Sequence, residues 1–342
     1  MALTNFPNGI TSFGVPVIGG IGGIPFSGNW YFVDPVNGAD GNDGSADYPL
    51  ATLYAAINRA VSGNNDVIVL MSNGAASGTA RLSTALAQTI DPTATTGTLN
   101  WNKNATHLIG MGAPTRVGQR ARIAPPTGTY TATTFNANTF INVTGAGCLF
   151  ANIDIFVGFS TGSASMIGVL EAGGRNAYQN VNIQGMGDAA SAGGSAARTL
   201  KITSQENTFT DCVLGLDTVA RSAANATVEL ASGTARNSFI GCTFPFQTSA
   251  ATPLGVLASA ASAIDRWQLF QQCTFINNIQ STSTQMSALA TLPASAGGLL
   301  LMKDCTMVGI TEFGSDATTR GQIYVDSASV VAATSGIAVN PT

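Results

Sequence analysis

Charge is scarce in this sequence: 14 Lys and Arg plus 18 Asp and Glu among 342 residues, or 9%, against the quarter usual for a soluble domain. A monomer of 34.7 kDa would expose about 13,000 Å², which leaves roughly one charge per 400 Å². Either Ser, Thr, Asn and Gly cover the outside, or an assembly buries much of it. The net charge of −4 gives no basic footprint, so nucleic acid is not an expected partner. Arg116, Arg120 and Arg122 cluster, but three cations do not make the broad surface that phosphate binding needs.

Other absences narrow the field further. There is one histidine, His107, and a lone His is more often a satisfied surface or core residue than a ligand or base. The five cysteines form no CxxC and no short spacing, which argues against a disulfide framework or a zinc site. No apolar run of 18 residues survives the interruptions of Pro7, Pro16, Pro25 and seven glycines in residues 1–28, so no membrane span is expected. The same opening segment lacks a basic n-region, so a signal peptide is not expected either.

What is present is a repeat. An apolar-x-polar-apolar-x-apolar pattern starts at Phe150, Tyr178, Phe209, Phe239, Phe270 and Met302. Its central apolar residues are Ile153, Val181, Cys212, Cys242, Cys273 and Cys305, separated by steps of 28, 31, 30, 31 and 32 residues. A fixed period of this length signals a solenoid. The last apolar-x-apolar alternates with period two, so it is a strand with one face inward. The residue before each anchor is Asn152, Asn180, Asp211, Gly241, Gln272 or Asp304. Asn, Asp and Gly tolerate the left-handed backbone of a sharp bend, and Gln272 departs from that rule. The pairs Ile167/Val169, Leu200/Ile202 and Val228/Leu230 mark a second strand in several coils.

The expected architecture is all-β: a right-handed parallel β-helix with a short N-terminal capping helix and an extended N-terminal arm. Residues 1–28 form the arm and residues 29–342 one β-helix domain, with the cap over about 29–65 and the coils over about 66–335. Thr52 is placed to cap a helix carrying Leu53, Ala56, Ile57 and Ala60 on one face, and such a helix would close the open end of the core. The arm contains no charge; the first charged residue is Asp34. It reads either as a loose terminus or as a segment that docks Phe6, Ile10, Phe13, Val15, Val17 and Ile18 on a partner. The six anchors are expected to form one inward ladder, the cysteines acting as small buried hydrophobes.

Candidates for chemistry are sparse. Hydrolysis of a glycan would need two carboxylates about 5–9.5 Å apart. The body offers Asp154, Glu171, Asp188, Glu206, Asp211, Asp217, Glu229, Asp265, Asp304 and Glu312 without a paired motif. Asp211 and Asp304 fall at bends, and Asp154 is expected to face outward, alone in its register. Asp34, Asp40, Asn42 and Asp43 could offer oxygens to calcium, but the EF-hand spacing and its terminal Glu are missing, so a turn held by side chains is expected. No catalytic, cofactor-binding or metal-ligating residue is assigned.

The run WYFVDPVNGADGNDGSADYPLATLYAAINRAV, followed by DVIVL, resembles the start of pectate-lyase-like β-helix domains, in which a strand, an Asn/Asp/Gly loop and a capping helix lead into the first coil. The opening MALTNFPNGITSFGVPV is similar to the starts of tailed-phage virion proteins that join an apolar arm to a β-helix. The resemblance implies a virion structural protein, a cement or decoration subunit on the capsid or else a protein of the tail. Together with the sparse charge and the lack of a paired acid motif, the expectation is a cement or decoration subunit on the outer capsid surface, bound to the major capsid protein as a homotrimer, without enzymatic activity, cofactor, nucleic acid or membrane. The alternative it leaves open is a tailspike or receptor-binding protein that binds or depolymerises glycan.

Overall fold

The computed structural model describes residues 28–71, 98–112, 121–124, 138–158, 162–231, 233–278, 283–293, 297–314 and 323–325, together with the backbone of 11–12 and 15–16. The β-branched and aromatic runs form parallel strands stacked coil on coil into three sheets, one of ten strands and two of eight. In one coil the chain passes through Leu149–Ala151 in the ten-stranded sheet, Asp154–Phe156 in the second sheet and Ile167–Glu171 in the third. It then returns one layer on at Ala177–Gln179. This is a parallel β-solenoid.

From Leu149 onward the passage from the first to the second sheet is two residues, a bend and an anchor: 152–153, 180–181, 211–212, 241–242, 272–273 and 304–305; the earlier passage, from Thr106–Met111 to Arg122–Ile123, is longer. Every bend residue has the left-handed backbone, with φ between 50° and 65°. Gln272 adopts it too, at 53°, so stacking between its neighbours overrides the local preference of its side chain. The anchors follow in register, because Asp154 pairs with Asn182, Asn182 with Val213, Val213 with Thr243, Thr243 with Thr274 and Thr274 with Thr306. Ile153, Val181, Cys212, Cys242 and Cys273 are buried, and Cys305 packs partly buried against the same core. All five cysteines, Cys148 included, are free.

Like residues meet like in this register. Phe150, Tyr178, Phe209, Phe239 and Phe270 stack with ring centroids 4.8, 4.5, 4.7 and 4.5 Å apart. Each such pair contributes about 0.5–1.5 kcal/mol beyond the area it buries. The thiols donate along the stack: Cys212 Sγ to the Tyr178 carbonyl at 3.4 Å, Cys242 to Phe209 at 3.4 Å and Cys273 to Phe239 at 3.3 Å.

At the N-terminal end, Thr52 caps the helix Leu53–Arg59 by accepting the Ala55 N–H, and Leu53, Ala56 and Ile57 are buried. The helix lies against the strands Trp30–Val33 and Asp66–Met71. Of the arm, Thr11–Ser12 pairs antiparallel with Val15–Pro16. Phe6, Ile10, Phe13, Val17 and Ile18 lie outside the described residues, as does the side chain of Val15. His107 is buried in the ten-stranded sheet, and its Nδ1 accepts the Leu149 N–H at 3.0 Å. Burial lowers its pKa from 6.5 to about 4, against an opposing pull from Asp66.

Two outcomes are expected. Gln272→Asn keeps the bend and relieves its strain, so the denaturation midpoint should rise by the equivalent of about 0.5–1 kcal/mol. His107 binds a proton more readily unfolded than folded, so its contribution is intact above pH 6.5 and is lost as pH falls toward about 4. That difference corresponds to roughly 3 kcal/mol. Urea titrations at pH 7, 5.5 and 4 should show His107→Gln losing less stability on acidification than the parent, other titrating groups cancelling in the comparison.

Candidate interaction surface

The corner that leads into the ten-stranded sheet carries a column of exposed charge. Register aligns Arg175, Glu206, Arg236, Trp267 and Leu299 in consecutive coils. Glu206 binds both arginines, accepting Arg175 Nε at 2.8 Å and Arg236 Nη1 at 3.1 Å. The three side chains are 74%, 33% and 46% exposed in chain order. All three sit in the left-handed region, with φ of 55°, 62° and 56°. The other bend uses Asn, Asp and Gly in most coils, whereas here long charged side chains occupy a conformation that costs about 1–2 kcal/mol per residue. Exposed ion pairs contribute about 0–1 kcal/mol, so they offset this weakly. Strain kept at a surface position is the kind of outlier that points to a use.

Directly behind the column runs a buried polar ladder. Asn176 Oδ1 accepts the Cys148 N–H at 2.7 Å, Asn207 Oδ1 the Asn176 N–H at 3.0 Å, and Asn237 Oδ1 the Asn207 N–H at 2.9 Å. The sequence reading missed this ladder, although its signal is present. Arg175-Asn176, Glu206-Asn207 and Arg236-Asn237 each stand the same distance before the stacked aromatic.

Glu171 joins the ladder from inside. It takes an interior place that Val143 and Ile202 fill in the adjacent coils. Its Oε1 accepts the Gly173 and Gly174 N–H groups at 3.0 and 2.9 Å and the Ser204 hydroxyl at 3.1 Å. Asn176 Nδ2 donates to both oxygens, and the Tyr178 hydroxyl donates to Oε2. Burial raises the carboxyl pKa against the pull of these donors. Sealed in this way, Glu171 ties three chain segments together and offers nothing to a substrate outside.

Asp154 corrects the expectation of an outward, solitary carboxylate. It is buried, with Arg122 Nε at 3.1 Å, and the Arg122 guanidinium lies 4.4 Å over the Phe156 ring. Arg116 and Arg120 lie outside the described residues. Glu229 is held between Arg198 at 2.6 Å and Lys201 at 2.9 Å; the two cations and the hydrogen bonds they donate outweigh burial and lower its pKa. Arg221 is buried on Asn225, Thr227 and the Leu254 carbonyl. Asp188 caps the helix Ala189–Ala192. Asp34 accepts the N–H groups of Val36 and Asn37, Asp40 those of Ala51 and Thr52, and Asp43 that of Ser45, so this loop is organised by its carboxylates. Among the described residues no group of three or more His, Cys, Asp or Glu is placed to hold a metal, and no helix is long and apolar enough to cross a membrane.

The outer face of the ten-stranded sheet carries Ala177, Gln179, Thr208, Thr210, Ser238 and Ile240 through its middle. None of these can act as acid, base or charged anchor. Toward the ends the same face turns apolar. Val67, Val69 and Ile109 form a separate buried cluster with Phe32 at one end, and exposed Leu299 stands beside half-buried Trp267 at the other. At the Trp267 and Leu299 end such a surface can bind by shape, burial and a few charges, whereas the cluster at the other end is already covered.

No family model matches the sequence, and no curated protein matches it. Solved structures do. A rhamnogalacturonan lyase superposes with a TM-score of 0.57 at 14% identity, over 87% of this chain and 73% of that one. Pectate lyase Pel9A gives 0.56 at 15%, over 86% and 67%. Pectin methylesterase PemA from Erwinia chrysanthemi gives 0.52 at 13%, over 88% and 90%. At these identities the likeness establishes architecture alone: the chain has the fold of the pectate-lyase-like right-handed parallel β-helix proteins.

Proposed function

We propose that the chain is a structural subunit of a tailed-phage virion, a cement or decoration protein on the outer capsid surface that binds the major capsid protein as a homotrimer and performs no catalysis. The observation that carries this reading is the uncharged middle of the sheet's outer face, together with acids that serve the fold. Asp154 and Glu229 are tied to cations, Glu171 is sealed inside, and Asp188 and Asp211 hold a cap and a bend. Sparse charge on the sides suits a surface that is covered in an assembly. The second reading, a tailspike that binds or cleaves glycan, is favoured by the fold shared with polysaccharide-acting proteins and by Trp267 beside exposed arginines.

The arm supplies the contact with the capsid. Burying about 600 Å² of its apolar surface would give roughly 15 kcal/mol gross, and ordering about twenty-five residues costs more than that at 1–2 kcal/mol each. One arm alone is therefore a marginal anchor, and several arms on a repeated surface act by multivalency. Deleting residues 2–24 should leave cooperative melting intact and abolish binding to capsids stripped of the native protein. Undiminished decoration by the truncated chain would remove the arm from this role. Purified protein should release no oligosaccharide from host capsule or lipopolysaccharide in reducing-end and unsaturated-product assays; sustained turnover would replace the scaffold reading with the tailspike.

A further inference from the structure

We infer that the exposed corner column Arg175–Glu206–Arg236, continued by Trp267, is a docking edge for a carboxylate-bearing protein surface. The inference rests on the scaffold reading and specifies where such a scaffold is read by its partner. Three observations converge. In a chain with so few charges, three stand in one register column on consecutive coils, held in a backbone conformation that long side chains avoid. Glu206 uses one nitrogen of each arginine, and among the described residues the other guanidinium nitrogens of Arg175 and Arg236 have no protein partner. Two guanidinium forks are thus aimed and left open, two coils or about 10 Å apart. Their planar donor pairs suit carboxylates.

The shape of the site selects the partner class. The column stands on a corner between sheets, and saccharides and other small ligands are taken up in concave sites. A corner instead meets another folded surface, with Trp267 and Leu299 supplying the apolar contact next to the charged one. Glu206 leaves the column with one net positive charge, so the fit is to a carboxylate pair at matching separation on a partner of negative potential.

The test uses the full-length protein and two probes, fluorescently labelled poly-L-glutamate and labelled polygalacturonate, followed by anisotropy at low salt. Poly-L-glutamate should bind and should weaken as salt is added. Arg175→Gln/Arg236→Gln should lower its affinity at least tenfold, Arg175→Gln alone about threefold, and Lys303→Gln, at the opposite end of its strand from Leu299, should leave it unchanged. Melting curves establish that each variant is folded. The single Arg175→Gln change, at the most exposed of the three side chains, decides the matter if the double variant unfolds. Equal affinity of parent and arginine variants overturns the inference, as does an equal loss with Lys303→Gln. Binding of polygalacturonate without poly-L-glutamate overturns it in favour of an acidic glycan. Failure of the scaffold reading would instead appear as glycan turnover, which this measurement does not involve.

Discussion

A coil of this solenoid can stack on the next only if the chain turns from one sheet into the next at the same place, and that turn depends on single residues in the left-handed backbone. Once Asn152, Asn180, Asp211, Gly241, Gln272 and Asp304 take it, the following anchors fall into one column and the preceding aromatics into another. Ring-on-ring contact, thiol-to-carbonyl bonds and the parallel ladders then follow from register. The bend is therefore the constraint, and the core chemistry is its consequence.

The same logic explains which parts of the structure were legible in the sequence. Period-two strands and a bend of restricted residue types leave a local trace, so the repeat at Phe150, Tyr178, Phe209, Phe239 and Phe270 announced both its core and its turns. Gln272 shows the limit from one side, since propensity disfavours it and its stacked neighbours impose the bend regardless. Asp154 shows it from the other. Its alternation in the strand placed it outward, but a salt bridge to Arg122, more than thirty positions earlier, buries it. Glu171 occupies an aliphatic place because Asn176, Tyr178 and Ser204 supply donors there, a condition that no window of local sequence displays.

The candidate surface was less legible than the core for a related reason. Arg175, Glu206 and Arg236 appear in the sequence as isolated charges, thirty-one and thirty residues apart. Only the register of the sheet makes them neighbours, and only their backbone angles distinguish them from ordinary solvated side chains. The asparagines beside them carry a repeated signal that pattern reading could have used. An Asn two positions before a stacked aromatic in three successive coils has a reason to recur, because its side chain accepts a backbone N–H of the preceding coil.

The two-residue passage between the first and second sheets, kept through six successive coils, contrasts with the passage from the second to the third, which runs over 222–225 in one coil, 249–253 in another and residue 309 alone in a third. Length variation is thus absorbed at the other two edges of the prism, since the passage from the third sheet back to the first also varies, from 102–105 to 259–266, while the bend keeps phase. In evolutionary terms the molecule is modular along its axis. A loop can lengthen or shrink on those edges, or a whole coil can be duplicated, without shifting any residue of the remaining coils to the wrong face. New surface features can therefore be added to such a chain without renegotiating its core.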